Sequence, residues 1–234
     1  MESNNKVKSI IKDFNDGKAA NAFFQIADLI KNNPENLDYL FLYAKMCNQV
    51  NKLDESEKAS LFLVSKNKNS VDYLHNLYSV YIKKNNFSKS EIFIKKLLKI
   101  NSDHYEAQRD LGYLEYQKNN IDNAKIILEK IVNKKTNDPF ALNILGLIFL
   151  KKKLIDKAKK LFNKALIVDP KYIDSYNNLG NVYFNLENLD KAFIFFKKAY
   201  KINKKFSKTL INIGNCLSLK DKNLFAIKAY KKAL

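Results

Sequence analysis

Every glycine and proline in this 234-residue chain falls on a grid of 34 residues. Gly112, Gly146, Gly180 and Gly214 are spaced 34 apart, Pro34 and Pro170 share one slot four periods apart, and Pro139 opens the period that contains Gly146. Gly17 stands seven positions after the slot of the other four glycines. These are the residues at which a backbone turns sharply or lets a second helix come close. If all of them obey one period, the whole chain is a single repeat array. Its function then belongs to its surfaces rather than to a loop-built pocket.

The periods run 3–36, 37–70, 71–104, 105–138, 139–172, 173–206 and 207–234, the last cut short, with no insertion between them. Position 8 reads Ile10, Ala44, Tyr78, Gly112, Gly146, Gly180, Gly214. Position 20 is small in every period: Ala22, Ser56, Ser90, Ala124, Ala158, Ala192, Ala226. Position 24 reads Ile26, Ser60, Ile94, Leu128, Phe162, Phe196, Tyr230. Within a period the apolar spacing is helical. Leu179, Tyr183 and Leu186 share one face of a first helix, and Ala192, Phe196 and Ala199 one face of a second. Small residues at positions 8 and 20 let the two helices approach closely. Such a hairpin cannot bury both faces alone and must stack on its neighbours, so the expected fold is an all-α solenoid forming one domain over 1–234.

The segment Tyr176-Asn177-Asn178-Leu179-Gly180-Asn181-Val182-Tyr183, followed by Ala192, Phe196 and Ala199, resembles the tetratricopeptide repeat, whose pattern is W-x2-L-G-x2-Y, then A-x3-F, then A and P. Tyr176 stands where that family usually has tryptophan. The resemblance extends over positions 3–234 and is strongest in periods 4–7. It implies a right-handed superhelix of about seven helix-turn-helix repeats whose first helices line the inner wall. It also implies a protein-binding scaffold, either free-standing or as the substrate-recruiting arm of a larger transferase, similar to the arm of O-linked N-acetylglucosamine transferase.

The net charge is +18, which raises nucleic acid or an anionic membrane as partners. Only Arg109 among the 42 basic residues is arginine, whereas base and phosphate recognition favours arginine. Most of the excess charge also falls at positions 15–34, on the outer face and turns, with Lys197, Lys198, Lys201, Lys204 and Lys205 as examples. A solvated basic face is the simpler reading, and nucleic acid is disfavoured. No apolar run approaches the ~18 residues of a membrane span, and the N-terminus lacks a signal-peptide pattern. Both point to the cytoplasm. Cys47 and Cys216 occupy packing slots and are expected as buried free thiols.

No catalytic constellation is visible. His75 and His104 lack metal-ligand spacing, there is no phosphate-binding glycine loop, and neither cofactor nor metal is expected. The resemblance implies that positions 2, 5, 6, 9, 12 and 13 of the first helix face the inner wall, and these slots carry the search. They hold Asn177, Asn178, Asn181, Asn185, Asn212 and Asn215 in periods 6 and 7, Arg109, Tyr113, Tyr116, Phe140 and Asn143 in periods 4 and 5, and Asn76 in period 3. An asparagine amide offers both donor and acceptor and can pair with a peptide unit of any sequence. The expectation is a peptide-holding groove lined by these asparagines, with the aromatics as apolar anchors. The lysine and asparagine pattern of the chaperone carboxylate clamp is incomplete. Phe225, Ala229, Tyr230 and Ala233 would leave an apolar face at the end of the last period, which suggests self-association or a longer protein.

Overall fold

The computed structural model describes residues 2–134 and 137–234. Among them the chain is all-α, an α-solenoid of seven helix hairpins with no strand. The hairpins are α1 (Glu2–Asn15) with α2 (Ala19–Asn32), α3 (Leu37–Gln49) with α4 (Leu53–Lys66), and α5 (Val71–Lys83) with α6 (Phe87–Ile100). They continue as α7 (Tyr105–Gln117) with α8 (Ile121–Lys134), α9 (Pro139–Lys151) with α10 (Ile155–Val168), α11 (Ile173–Asn185) with α12 (Leu189–Ile202), and α13 (Ser207–Ser218) with α14 (Asn223–Ala233).

The turns inside the hairpins follow one rule. Position 15 is left-handed in every period. Gly17 has φ 81°, and Asn51, Asn85, Asn119, Lys153, Glu187 and Asp221 lie between 55° and 64°. The following N–H reaches back to the first helix, as from Lys52 to the Cys47 carbonyl at 2.9 Å, Asn86 to Tyr81 at 2.8 Å and Asn188 to Tyr183 at 2.9 Å. This Schellman closure satisfies carbonyls that the helix end would otherwise leave unpaired. Gly17 therefore belongs to a column that glycine shares with asparagine, the two residues that enter this region at least cost.

Asparagine also opens the helices. The side chain of Asn36 accepts from the N–H groups of Asp38 and Tyr39, Asn86 from Lys89, and Asn188 from Lys191. Ser70 and Asp138 do the same for α5 and α9. Between hairpins, Asn67, Asn101, Asp169 and Asn203, all at position 31, accept from the N–H two residues on. Much of the asparagine in this chain is thus turn and cap chemistry.

In the hairpins α9–α10, α11–α12 and α13–α14, a glycine at position 8 faces an aromatic ring at position 24. A Cβ built on Gly146 would lie 2.5 Å from the Phe162 ring, on Gly180 2.3 Å from Phe196, and on Gly214 2.3 Å from Tyr230. Where position 8 carries Ala44, position 24 carries Ser60. The aromatic rings at position 24 fit because the facing helix has only hydrogen there.

The contacts divide the chain into two compact units, residues 1–111 and 112–234. In the first, α1 to α6 pack in chain order, with buried clusters around Ile10, Ala22, Ile26, Leu29, Tyr39 and Met46 and around Ala44, Ala59 and Leu63. In the second, α8 to α14 pack in chain order, and one cluster is formed by Ala192, Phe196 and Cys216. Cys47 and Cys216 are free and buried. Successive hairpins within a unit are also tied by exposed ion pairs from position 18 to position 14 of the next period: Asp54 with Lys84 at 2.7 Å, Asp122 with Lys152, and Asp190 with Lys220. Exposed pairs of this kind contribute little stability.

Candidate functional site

Four of the asparagines expected along the groove turn inward. Asn143 is 3 % exposed, Asn177 0 %, Asn178 6 % and Asn76 7 %. Asn143 Oδ1 accepts from Ser175 Oγ at 3.0 Å and from Asn178 Nδ2 at 2.9 Å. Thr209 Oγ1 donates to Asn177 Oδ1 at 3.0 Å. The rule is an asparagine at position 5 receiving a hydroxyl from position 3 of the next hairpin. These amides join α9 to α11 and α11 to α13. Asn143 Oδ1, Asn177 Oδ1 and Asn178 Nδ2 thus have partners inside the stack, which weighs against the expectation that these amides face a ligand. In the first unit, Asn76 Nδ2 donates to Ser60 Oγ at 2.8 Å and lies 3.3 Å from Ser56 Oγ, while its Oδ1 accepts from Asn48 Nδ2 at 3.1 Å.

Arg109 is also committed within the chain. Its Nε and Nη2 each lie 2.8 Å from the buried Asp110 carboxylate. Tyr113 meets Phe140 edge-on with ring centroids 5.4 Å apart. Tyr116 is half-buried beneath Lys151, whose ammonium is 4.7 Å from the ring centre, and burial raises its hydroxyl pKa. These three aromatics remain partly open on α7 and α9.

What stays open in the second unit is a cleft of about 300 Å³ between α11 and α13, lined by Asn181, Phe184, Asn185, Asn212 and Asn215, with Phe196 of α12 behind them. Asn215 Oδ1 accepts from the Tyr230 hydroxyl at 2.8 Å. The Asn212 Nδ2 is shielded from solvent and has no hydrogen-bond partner. A shielded donor without an acceptor costs about 1–3 kcal/mol, so a carbonyl entering this cleft would recover that cost. Its four asparagines, Asn181, Asn185, Asn212 and Asn215, are among the inner-slot asparagines read from the sequence.

The first unit holds a second cleft, of about 320 Å³, between α3 and α5. Its walls carry Phe41, Lys45, Asn48, Gln49, Asp72, His75, Asn76, Ser79 and Lys83. Following the inner slots of period 3 reaches His75, Asn76 and Ser79, whereas the α3 wall lies outside the asparagine column. The signal was available, because Lys45, Asn48 and Gln49 occupy inner slots 9, 12 and 13 of period 2.

His75 stacks on Tyr78 with ring centroids 5.0 Å apart and meets His104 edge-on at 5.3 Å. Burial holds its imidazole below the ordinary 6.5. His104 and Arg109 act in the same direction, while Glu106 and Asp72 oppose it. The unfolded chain therefore takes up a proton at this site before the folded one does. Stability is expected to fall as pH drops below 6.5 and to level off below the folded pKa. The melting temperature measured from pH 7.5 to 5 should show this slope in the wild type and a flatter one in His75→Phe, which keeps a ring against Tyr78. Carboxylates held low by lysines, such as Asp54 beside Lys84, act only at more acidic pH. Equal slopes in the two proteins would exclude His75 as the source.

Two tetratricopeptide-repeat sequence profiles match the chain, over residues 141–172 and 173–206. No curated protein matches the sequence. Among solved structures, a tetratricopeptide repeat protein from Parabacteroides merdae ATCC 43184 superposes with a TM-score of 0.79 at 18 % identity, covering 98 % of this chain and 91 % of that one. A chain of the APC/C hetero-tetramer Cut9–Hcn1 gives 0.84 at 17 % identity, with 96 % of this chain covering 45 % of its length. MamA gives 0.54 at 26 % identity, covering 67 % of this chain and 92 % of that one. Residues 141–206 match the tetratricopeptide-repeat profiles, and the chain as a whole shares the α-solenoid fold of these solved structures. Such repeats generally mediate contacts between proteins and are typically scaffolds rather than catalysts. Among the described residues no helix is long and apolar enough to cross a membrane, and no group of three or more His, Cys, Asp or Glu is placed to hold a metal.

Proposed function

We propose that this protein is an interaction scaffold that holds an extended partner segment in the cleft between α11 and α13. Asn181, Asn185, Asn212 and Asn215 pair with peptide groups of the segment, and Phe184 contacts its side chains. Tyr113, Tyr116 and Phe140 offer further apolar contact on α7 and α9. The observation that carries this reading is the Asn212 Nδ2, a shielded donor lacking an acceptor at the wall of an asparagine-lined cleft. Main-chain pairing is tolerant of sequence, so affinity would come from backbone geometry and selectivity from the aromatic contacts. The free thiols of Cys47 and Cys216 support a reducing, cytoplasmic setting.

The test uses peptides selected against the folded protein from a random display library. The double variant Asn181→Ala with Asn212→Ala is expected to weaken their binding at least tenfold without lowering the melting temperature, since neither side chain belongs to the buried joints and the Asn212 donor has no partner to lose. Unchanged affinity in that variant would move the binding surface elsewhere.

A further inference from the structure

We infer that the cleft between α3 and α5 is a second recognition site and that its ligand is an acidic peptide segment. This goes beyond the α11–α13 cleft, since it lies in the other unit and uses different chemistry. The inference begins with a network whose polarity is fixed. Ser56 Oγ donates to the Ala44 carbonyl at 2.7 Å, and Asn76 Nδ2 is directed at Ser60 and Ser56. Asn76 Oδ1 is therefore an acceptor, and so is Ser79 Oγ, whose proton goes to the Asn76 carbonyl at 2.8 Å. Both receive Asn48 Nδ2, at 3.1 and 2.6 Å. The Asn48 amide cannot flip without setting its oxygen against another acceptor.

Asn48 Oδ1 is consequently fixed as an acceptor in the cleft wall, in a side chain only 8 % exposed, and it has no hydrogen-bond partner. It calls for a donor such as a peptide N–H. Two ammonium groups line the same cleft. Lys83 Nζ donates to the Asn48 carbonyl at 2.6 Å, and Lys45 Nζ sits 5.5 Å from the centre of the Phe41 ring. Neither forms an ion pair among the described residues, whereas the adjacent Lys84 holds both Asp54 and Glu57. Desolvation lowers the pKa of Lys83, a cost that an incoming carboxylate would offset. Asp72 is the one acidic side chain in the lining, and His75 is held towards its neutral form, so the cleft keeps a positive balance. A segment that offers a main-chain N–H to Asn48 Oδ1 and a side-chain carboxylate to Lys45 and Lys83 would meet both the orphaned acceptor and the two ammonium groups of this cleft.

Fluorescein-labelled hexaglutamate and hexaglutamine are the probes, followed by anisotropy on the full chain at ~150 mM salt. Hexaglutamate is expected to bind at least tenfold more tightly than hexaglutamine. Lys45→Gln with Lys83→Gln should remove that preference, while Lys197→Gln with Lys201→Gln, on exposed positions of α12, should change it less than twofold. Both double variants lower the net charge by the same amount, so a general attraction to a basic protein would weaken equally in both and overturn the site. Failure of hexaglutamate to exceed hexaglutamine would overturn it as well. Asn181→Ala with Asn212→Ala should leave the preference for hexaglutamate over hexaglutamine unchanged, because main-chain pairing in the asparagine-lined cleft does not distinguish the two probes, and this separates the two sites.

Discussion

Gly180→Ala is expected to lower the melting temperature, although alanine is the better helix former by about 1 kcal/mol. The reason is the facing ring. A Cβ at residue 180 would lie 2.3 Å from Phe196 Cε1, and Phe196 is only 1 % exposed, so the buried ring or the helix that carries it must shift. Overpacking of this kind costs typically 1–3 kcal/mol, enough to exceed the propensity gain. At about 2–4 °C per kcal/mol for a chain of this size, the loss is measurable by far-UV circular dichroism. The sign should reverse in a Phe196→Ala background. That variant is itself destabilised by about 3–5 kcal/mol, but it leaves room for the new methyl group, so alanine at 180 then shows its propensity gain. Gly17→Ala provides the contrast. Nothing lies within 4 Å of its Cβ position, and φ is 81°, so its cost is backbone strain alone and is independent of Phe196. A stabilised Gly180→Ala in the wild-type background would mean that the two helices of this hairpin do not meet at residues 180 and 196.

The repeat register was legible because it depends on local events that recur in sequence: a small residue where helices touch, a turn where they end. The glycines at position 8 and the aromatics at position 24 can both be read from the period, and the structure adds that each explains the other. Position 15 was less legible. Asn51, Asn85 and Asn119 share their slot with Gly17, but Lys153, Glu187 and Asp221 do not announce a left-handed residue, and there the closure of the preceding helix imposes the conformation. The groove was legible only in part. Positions 5 and 6 lie on the border between the open face of a first helix and the neighbouring hairpin, and the stacking of hairpins decides which way an asparagine there turns. Asn181 and Asn215, at position 9, stay open, whereas Asn143, Asn177 and Asn178 are covered. A hydroxyl at position 3 of the next period was the available signal, since Ser175 and Thr209 are the donors to Asn143 and Asn177.

The asparagine joints lead to the second large effect. Asn143→Ala is expected to cost about 2–5 kcal/mol, because it leaves two buried donors, Ser175 Oγ and Asn178 Nδ2, without their acceptor at about 1–3 kcal/mol each. The cavity adds to this, since Asn143 is only 3 % exposed. Asn181→Ala, one hairpin on and open to the cleft, should stay within about 0.5 kcal/mol of wild type. If the cost is that of orphaned donors rather than of lost volume, removing the donors should restore stability. Asn143→Leu combined with Ser175→Ala and Asn178→Leu should then melt above Asn143→Ala alone, since replacing all partners by apolar groups can be nearly neutral. Thermal denaturation of the wild type and the three variants decides it. Asn143→Ala melting with Asn181→Ala would show that Asn143 faces solvent, and it would return the amide to the groove. In a stack where each hairpin is held by its neighbours, loss of such a joint acts at an interface and should uncouple unfolding on its two sides. A broadened or split transition in Asn143→Ala, absent in Asn181→Ala, is the signature expected.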